Sequence, residues 1–312
     1  MKKIAFLFPG QGSQAVGMGA DFYNEFKFVR DIFQMAADHT HLDVAHLCFN
    51  GPKEELTETI NLQPAVTAVN LACSAALAAQ GIQPQIVAGH SLGEYSALQA
   101  AGIISPEDTI RLVFKRGQLM HREATRNKGV MHALIGLTYE AVQALVKRTD
   151  IQGPVSIANH NTEKQVVITG DSRAVKKISA LAVEQGAKSV PLKVSGAWHS
   201  QLIKGAEADF IAYMDAIEFQ HPLRTVVHNV TAESVTDPAQ IKDIMGRQLC
   251  SPVRWYDSIC RLMEERVSVF AEIGPGKVLT GLVRKIVPRD YPCQIFNVNN
   301  METLDKFLKE TK

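Results

Sequence analysis

The sequence predicts an α/β fold in which a large body of short apolar strands and long helices is interrupted by a small βαββαβ block. Three observations predict it. Short apolar runs such as 4–8 and 86–89 alternate with helix-length stretches as far as about Arg126, the pattern of strands joined by crossover helices. Asn127-Lys128-Gly129 breaks that pattern, and a compact block with its own alternation follows. After Ser195-Gly196 the first pattern resumes. The expected organisation is a discontinuous large domain over 1–126 and 197–312 with an inserted subdomain over 127–196.

In order, the large body reads as strand 4–8, a helical segment at 26–37, an apolar helix at 65–79, strand 86–89, a helix from Glu94, and a helix from Ser105-Pro106-Glu107 to about Ala124. The block reads as strand 130–137, helix 139–148, strand 155–158, a turn near Asn161-Thr162-Glu163, strand 165–169, helix 173–185 and strand 188–194. Ser172 is the expected N-cap of its second helix and Gly186 the stop. That order is the ferredoxin-like module. The returning chain reads as helix 201–217 with Ser200 as N-cap, strand 225–228, a helical stretch at 238–249, strand 269–273 and helix 278–286. Without a low-complexity linker, the two bodies are expected to form one rigid unit with a cleft between them.

Composition narrows the function classes. The 312 residues are 46% hydrophobic and 21% charged, with a net charge of +1 and no block of like charge, so nothing announces a nucleic-acid or membrane-surface partner. The five cysteines, Cys48, Cys73, Cys250, Cys260 and Cys293, are odd in number and form no Cys-x-x-Cys, which argues against a disulfide framework and a zinc site. Reduced thiols in a cytoplasmic protein are expected. The apolar run at 4–8 is too short for a signal peptide, and Thr67, Asn70 and Ser74 interrupt the helix at 65–79, which reads as buried rather than membrane-spanning.

The chemistry concentrates at Gly89-His90-Ser91-Leu92-Gly93. A Gly-x-Ser-x-Gly turn between a strand and a helix is a nucleophile elbow, which makes the large body α/β-hydrolase-like. The serine hydroxyl projects from the sheet edge with a helix N-terminus aimed at it, placed to form a covalent acyl intermediate. Gly10-x-Gly12-x-x-Ala15 formally matches a dinucleotide fingerprint, but the acid it needs is missing, because Asp31 lies in a helical stretch. The loop serves better as an oxyanion donor, its glycines freeing the Gln11 N–H to face a cavity.

Ten histidines compete to be the base. His199 sits in a loop at an element boundary, after Gly196-Ala197-Trp198 and before the N-cap Ser200, where scaffold-held catalytic side chains concentrate. His90 adjoins the serine, yet successive residues at an elbow diverge. No acidic residue stands in a motif of its own, so the group orienting the imidazole can be a carbonyl. Arg116, among Leu112, Val113, Leu119 and Met120 at helical spacing, emerges on an apolar face, while Arg111 sits beside Glu107, Asp108 and Lys115 on the solvated one. Such a cation is either a structural ion pair, a snorkelling side chain, or a carboxylate clamp.

Five ordered motifs, Phe8-Pro9-Gly10-Gln11-Gly12-Ser13-Gln14, Gly89 to Tyr95, Arg116-Gly117-Gln118-Leu119-Met120, Gly196-Ala197-Trp198-His199-Ser200 and Gly274-Pro275-Gly276-Lys277-Val278-Leu279, resemble the malonyl-CoA:acyl-carrier-protein transacylases from Met1 to about Val298. The resemblance implies Ser91 as nucleophile, His199 as base, Arg116 as clamp of the malonyl carboxylate, and the N–H groups of Gln11 and Leu92 as oxyanion hole. It implies that the Gln248 carbonyl orients His199, that His90, Trp198 and Met120 line the pocket, and that Asn159 and Asn161 fall near the cleft edge. Trp198 stands where malonyl-selective members carry phenylalanine, and Thr162-Glu163-Lys164 replaces the usual Ser-Pro-Gly. The expected activity is transfer of malonyl from malonyl-CoA to the phosphopantetheine thiol of an acyl carrier protein, by a monomer needing no metal or cofactor. Rival readings are a serine acyl hydrolase or thioesterase, and a nucleotide- or CoA-binding module. Acylation is expected to weaken as pH falls through the histidine range, around 6.5 before environmental shifts.

Overall fold

A computed structural model describes residues 2–148 and 150–311. Its strands are β1 (Ile4–Phe8), β2 (Ile86–Gly89), β3 (Val130–Ile135), β4 (Val155–Thr162), β5 (Gln165–Gly170), β6 (Lys188–Pro191), β7 (Thr225–Val227), β8 (Val269–Ile273) and β9 (Gln294–Val298). They form two separate sheets. One is parallel, in the order β7-β2-β1-β8-β9. The other is antiparallel, in the order β4-β5-β3-β6.

The parallel sheet is covered on both faces, which is why its strands read as unbroken apolar runs. Side chains alternate across β1: Phe6 and Phe8 join a core with Val66, Val69, Leu112 and Val113, whereas Ala5 and Leu7 join a second core with Trp255, Ile259, Leu279 and Val283. The helix Thr59–Ala79 is long and apolar enough to cross a membrane, but most of it is buried inside the protein. It begins six residues before the expected start at 65 and carries Pro64 within its second turn. The antiparallel sheet has its own core, with Leu134, Ile157, Val166 and Ile168 against Val142, Val175 and Ile178.

Several expected boundaries move. β4 continues to Thr162, so the turn tightens to Glu163-Lys164; two register irregularities and a bridge from Asn159 to Val253 accommodate the polar run 159–162, which the period-two pattern could not claim as strand. Asp171, not Ser172, caps the Ser172–Glu184 helix, its carboxylate accepting from the N–H groups of Arg173 and Ala174. The segment expected as helix 201–217 divides into a 3₁₀ turn Gln201–Ile203, capped by Ser200 as expected, and a helix Gly205–Asp215. Elements unread in the sequence include helices Ala20–Glu25, Val44–Phe49, Trp255–Glu264 and Met301–Thr311 and strand β9.

The loops that matter leave the carboxyl ends of neighbouring strands: Pro9 to Gln11 after β1, His90 and Ser91 after β2, His228 and Asn229 after β7. Ligands of open α/β sheets bind at such ends.

Candidate active site

Ser91 is held in a left-handed conformation, φ 52°, between β2 and the helix Gly93–Ala100. A non-glycine residue there costs on the order of 1–3 kcal/mol unless its surroundings hold it. Asn229 does so: its Oδ1 accepts from the Ser91 N–H at 2.7 Å and its Nδ2 donates to the Gly89 carbonyl at 2.6 Å. The flanking glycines are required by close approach, since a Cβ on Gly93 would overlap the Phe8 carbonyl and one on Gly89 would overlap the Gly93 backbone.

His199 Nε2 lies 2.8 Å from Ser91 Oγ, and its Nδ1 lies 3.1 Å from the Gln248 carbonyl oxygen. A carbonyl only accepts, so Nδ1 carries the proton and Nε2 is free to accept from the serine hydroxyl. Burial, then the charge of Arg116, push the His199 pKa down to about 3. The protonation range expected near 6.5 is therefore displaced well downward. His90 does not compete for the role, because its Nε2 meets Asn161 Oδ1 at 2.9 Å and its ring packs edge-on against Trp255.

Arg116 is 1% exposed, and all its hydrogen-bond partners are neutral. Nη1 donates to Gln63 Oε1 at 3.1 Å, and Nη2 donates to Ser91 Oγ at 3.1 Å and Gln248 Oε1 at 3.3 Å. Nε has no partner among the described residues, and the guanidinium lies over the Tyr95 ring. This arrangement is neither the structural ion pair nor the snorkelling side chain that the sequence left open. A buried cation is costly unless paired. Arg111, by contrast, pairs with Asp108 near the surface.

Ser91, His199 and Arg116 open onto a cavity of about 90 Å³ whose wall also includes Gln11, His90, Leu92, Met120, Asn159 and Trp198. A Cβ on Gly10 would lie 3.4 Å from the Leu92 nitrogen, which brings the Gln11 loop against the elbow. Neither the Gln11 nor the Leu92 N–H meets an acceptor among the described residues. Two free N–H groups beside a serine can receive developing negative charge on a carbonyl oxygen. A neighbouring cavity of about 170 Å³ shares Gln11, His90 and Asn159 and adds Asn161 and Val278. The far edge of the Trp198 indole packs so closely on Gly196 that a Cβ there would fall 2.6 Å from Cη2. Among the described residues, no three His, Cys, Asp or Glu side chains gather as metal ligands.

Sequence reasoning missed Gln63, Glu94, Asn229 and the side chain of Gln248. Gln63 gave no local signal, because it precedes the expected helix start at 65 and stands among Thr59, Asn61 and Thr67. Gln63 also donates through Nε2 to Met120 Sδ, which fixes its oxygen toward Arg116.

A serine on a strained elbow, a histidine fixed by a main-chain carbonyl and two free N–H groups can together carry serine-based acyl transfer. Residues 5–303 match the acyl transferase domain family, and the chain belongs to it. It is 41% identical over 312 residues to a malonyl CoA-acyl carrier protein transacylase of Bacillus subtilis (strain 168), across 99% of this chain and 98% of that protein. The crystal structure of an acyl carrier protein S-malonyltransferase from Vibrio cholerae O1 biovar eltor superposes with a TM-score of 0.93 at 40% identity, covering 97% of this chain and 99% of that one. A malonyl-transacylase solved in complex with its type II PKS acyl-carrier protein gives 0.94 at 38% identity, covering 99% and 100%.

Proposed function

We propose that this protein transfers the malonyl group of malonyl-CoA to the phosphopantetheine thiol of an acyl carrier protein through a malonyl-Ser91 ester. The observation that carries this reading is the buried Arg116 guanidinium, without a carboxylate partner among the described residues, 3.1 Å from the hydroxyl that His199 also holds. A substrate with a thioester at one end and a carboxylate at the other fits both groups. Arg favours a planar, bidentate pairing with carboxylate, so the free acid of malonyl aligns the thioester carbonyl over Ser91.

In the first half-reaction His199 Nε2 takes the Ser91 proton as Oγ attacks the thioester carbonyl, and the N–H groups of Gln11 and Leu92 hold the oxyanion. Collapse expels the CoA thiolate, which receives the proton from His199. In the second half-reaction Nε2 takes the proton of the carrier thiol, the thiolate attacks the serine ester, and the proton returns to Ser91. The Gln248 carbonyl keeps the imidazole in the required tautomer throughout. No step calls for a metal or bound cofactor.

The parallel sheet with its elbow supports an α/β-hydrolase-like large domain over 1–126 and 197–312. The β–α–β–β–α–β order supports a ferredoxin-like insertion over 127–196. A cytoplasmic protein acting as a monomer, with no nucleic-acid or membrane partner, is part of the same reading.

The test is discharge of the loaded enzyme, followed by intact mass. Holo acyl carrier protein should remove the malonyl group and appear malonylated, with the loaded enzyme persisting in buffer alone. Equal loss in buffer, with no acylated carrier, would make the protein a hydrolase.

A further inference from the structure

Behind the nucleophile lies a carboxylate that the proposed mechanism does not use. Glu94 is fully buried in the first turn of the helix Gly93–Ala100. An acidic residue there has an ordinary local explanation in the helix dipole, but its contacts are distant in sequence and lead to the site. Oε1 accepts from the Asn229 N–H at 3.1 Å and shares a hydrogen bond with His228 Nδ1 at 2.9 Å, and Oε2 accepts from Gln248 Nε2 at 2.6 Å. Two N–H groups and an imidazole nitrogen converge on it.

Gln248 Nε2 also donates to the Ser91 carbonyl at 3.0 Å, so two acceptors surround its nitrogen and the amide oxygen is left facing Arg116 Nη2. Asn229, whose N–H Glu94 receives, is the residue that clips Ser91 to Gly89. We propose that Glu94 is a positioning residue of the site: it orients the Gln248 side-chain amide, which aims the Arg116 guanidinium, and it anchors the Asn229 clip on Ser91. The inference rests on the reading of Ser91, His199 and Arg116 given above.

The arrangement also explains how an arginine stays buried without a direct ion pair. Burial lowers the Arg116 pKa, while Tyr95 and the Glu94 charge push it back up. Because Gln248 stands between Glu94 and Arg116, the opposing charge acts through a neutral amide that accepts from Nη2, not through a carboxylate seated on the guanidinium. A direct ion pair would close the clamp.

The test is Glu94→Gln, which keeps the shape of the side chain. The substituted amide can still accept from Asn229 and His228, but it sets an NH₂ against Gln248 Nε2. Turning Gln248 over to relieve this would present its own NH₂ to Arg116. With malonyl-CoA and acetyl-CoA measured in parallel, the malonyl-to-acetyl ratio of kcat/KM should fall at least tenfold, with KM for malonyl-CoA rising. An unchanged ratio, whether both rates fall or neither does, would overturn the proposal. If Glu94→Gln does not fold, Gln248→Leu decides: it removes the amide, keeps the main-chain carbonyl on His199, and should depress the same ratio, an unchanged ratio again refuting the idea. Loading of Ser91→Ala by malonyl-CoA would defeat the underlying reading instead, so the two failures are distinguishable.

Discussion

Replacing Arg116 with alanine removes a guanidinium that is 1% exposed and, on the proposed function, leaves the malonyl carboxylate without its partner in a buried site. An exposed ion pair is worth only about 0–1 kcal/mol, but truncating one member of a buried charged pair costs about 3–5 kcal/mol. At about 1.4 kcal/mol per decade, that is a fall of roughly 10²- to nearly 10⁴-fold in kcat/KM for malonyl-CoA. Acetyl-CoA has no carboxylate to lose. Its transfer should be spared or improved, because the charge of Arg116 also depresses the His199 pKa and its removal makes the base stronger. Arg116→Lys should rescue little, since an ammonium cannot reproduce the planar fork that now bridges Gln63, Ser91 and Gln248. Steady-state kinetics of both variants with the two thioesters decide the matter. An equal fall for malonyl and acetyl would refute the clamp and make Arg116 a structural residue.

His199→Ala should lose orders of magnitude in the rate of serine acylation, measured by rapid quench, whereas near-normal loading would reassign the base. For the wild-type enzyme, a histidine at its ordinary 6.5 would lose roughly 25-fold in its neutral fraction between pH 7 and pH 5. With the His199 pKa lowered to about 3, the base stays neutral across that interval and the acylation rate should be nearly flat, falling only in more acidic buffer. Gly93→Ala should destabilise the protein by about 1–3 kcal/mol in denaturant unfolding, because the new Cβ meets the Phe8 carbonyl. An unchanged midpoint would show that β1 and the elbow can separate.

What the sequence made legible was local. The elbow could be read because strand, glycines, serine and helix are contiguous, and the site histidine because Gly196 and the cap Ser200 mark a loop boundary. Arg116 stood out because helical spacing alone sets it among Leu112, Val113, Leu119 and Met120. The residues that support these three act across the fold. Glu94 meets His228 over 134 positions and Gln248 over 154, and Asn229 reaches Ser91 over 138, so no window of sequence contains the pair. The second half of β4 was hidden for a related reason. Its polar side chains Asn159 to Thr162 are buried, and part of that run lines the two cavities while pairing with the segment at Val253, a partner absent from the local pattern. The Trp255–Glu264 helix was legible but unread: Trp255, Ile259 and Leu262 recur at i, i+4 and i+7, and they cover one face of the parallel sheet.

The central claim is that malonyl is carried on Ser91, and the most direct measurement is intact mass with peptide mapping after mixing the enzyme with malonyl-CoA alone. One malonyl group per chain should be found, mapped to Ser91, and Ser91→Ala should take up none. Acylation of Ser91→Ala, or a label mapped to one of the cysteines, would contradict the account.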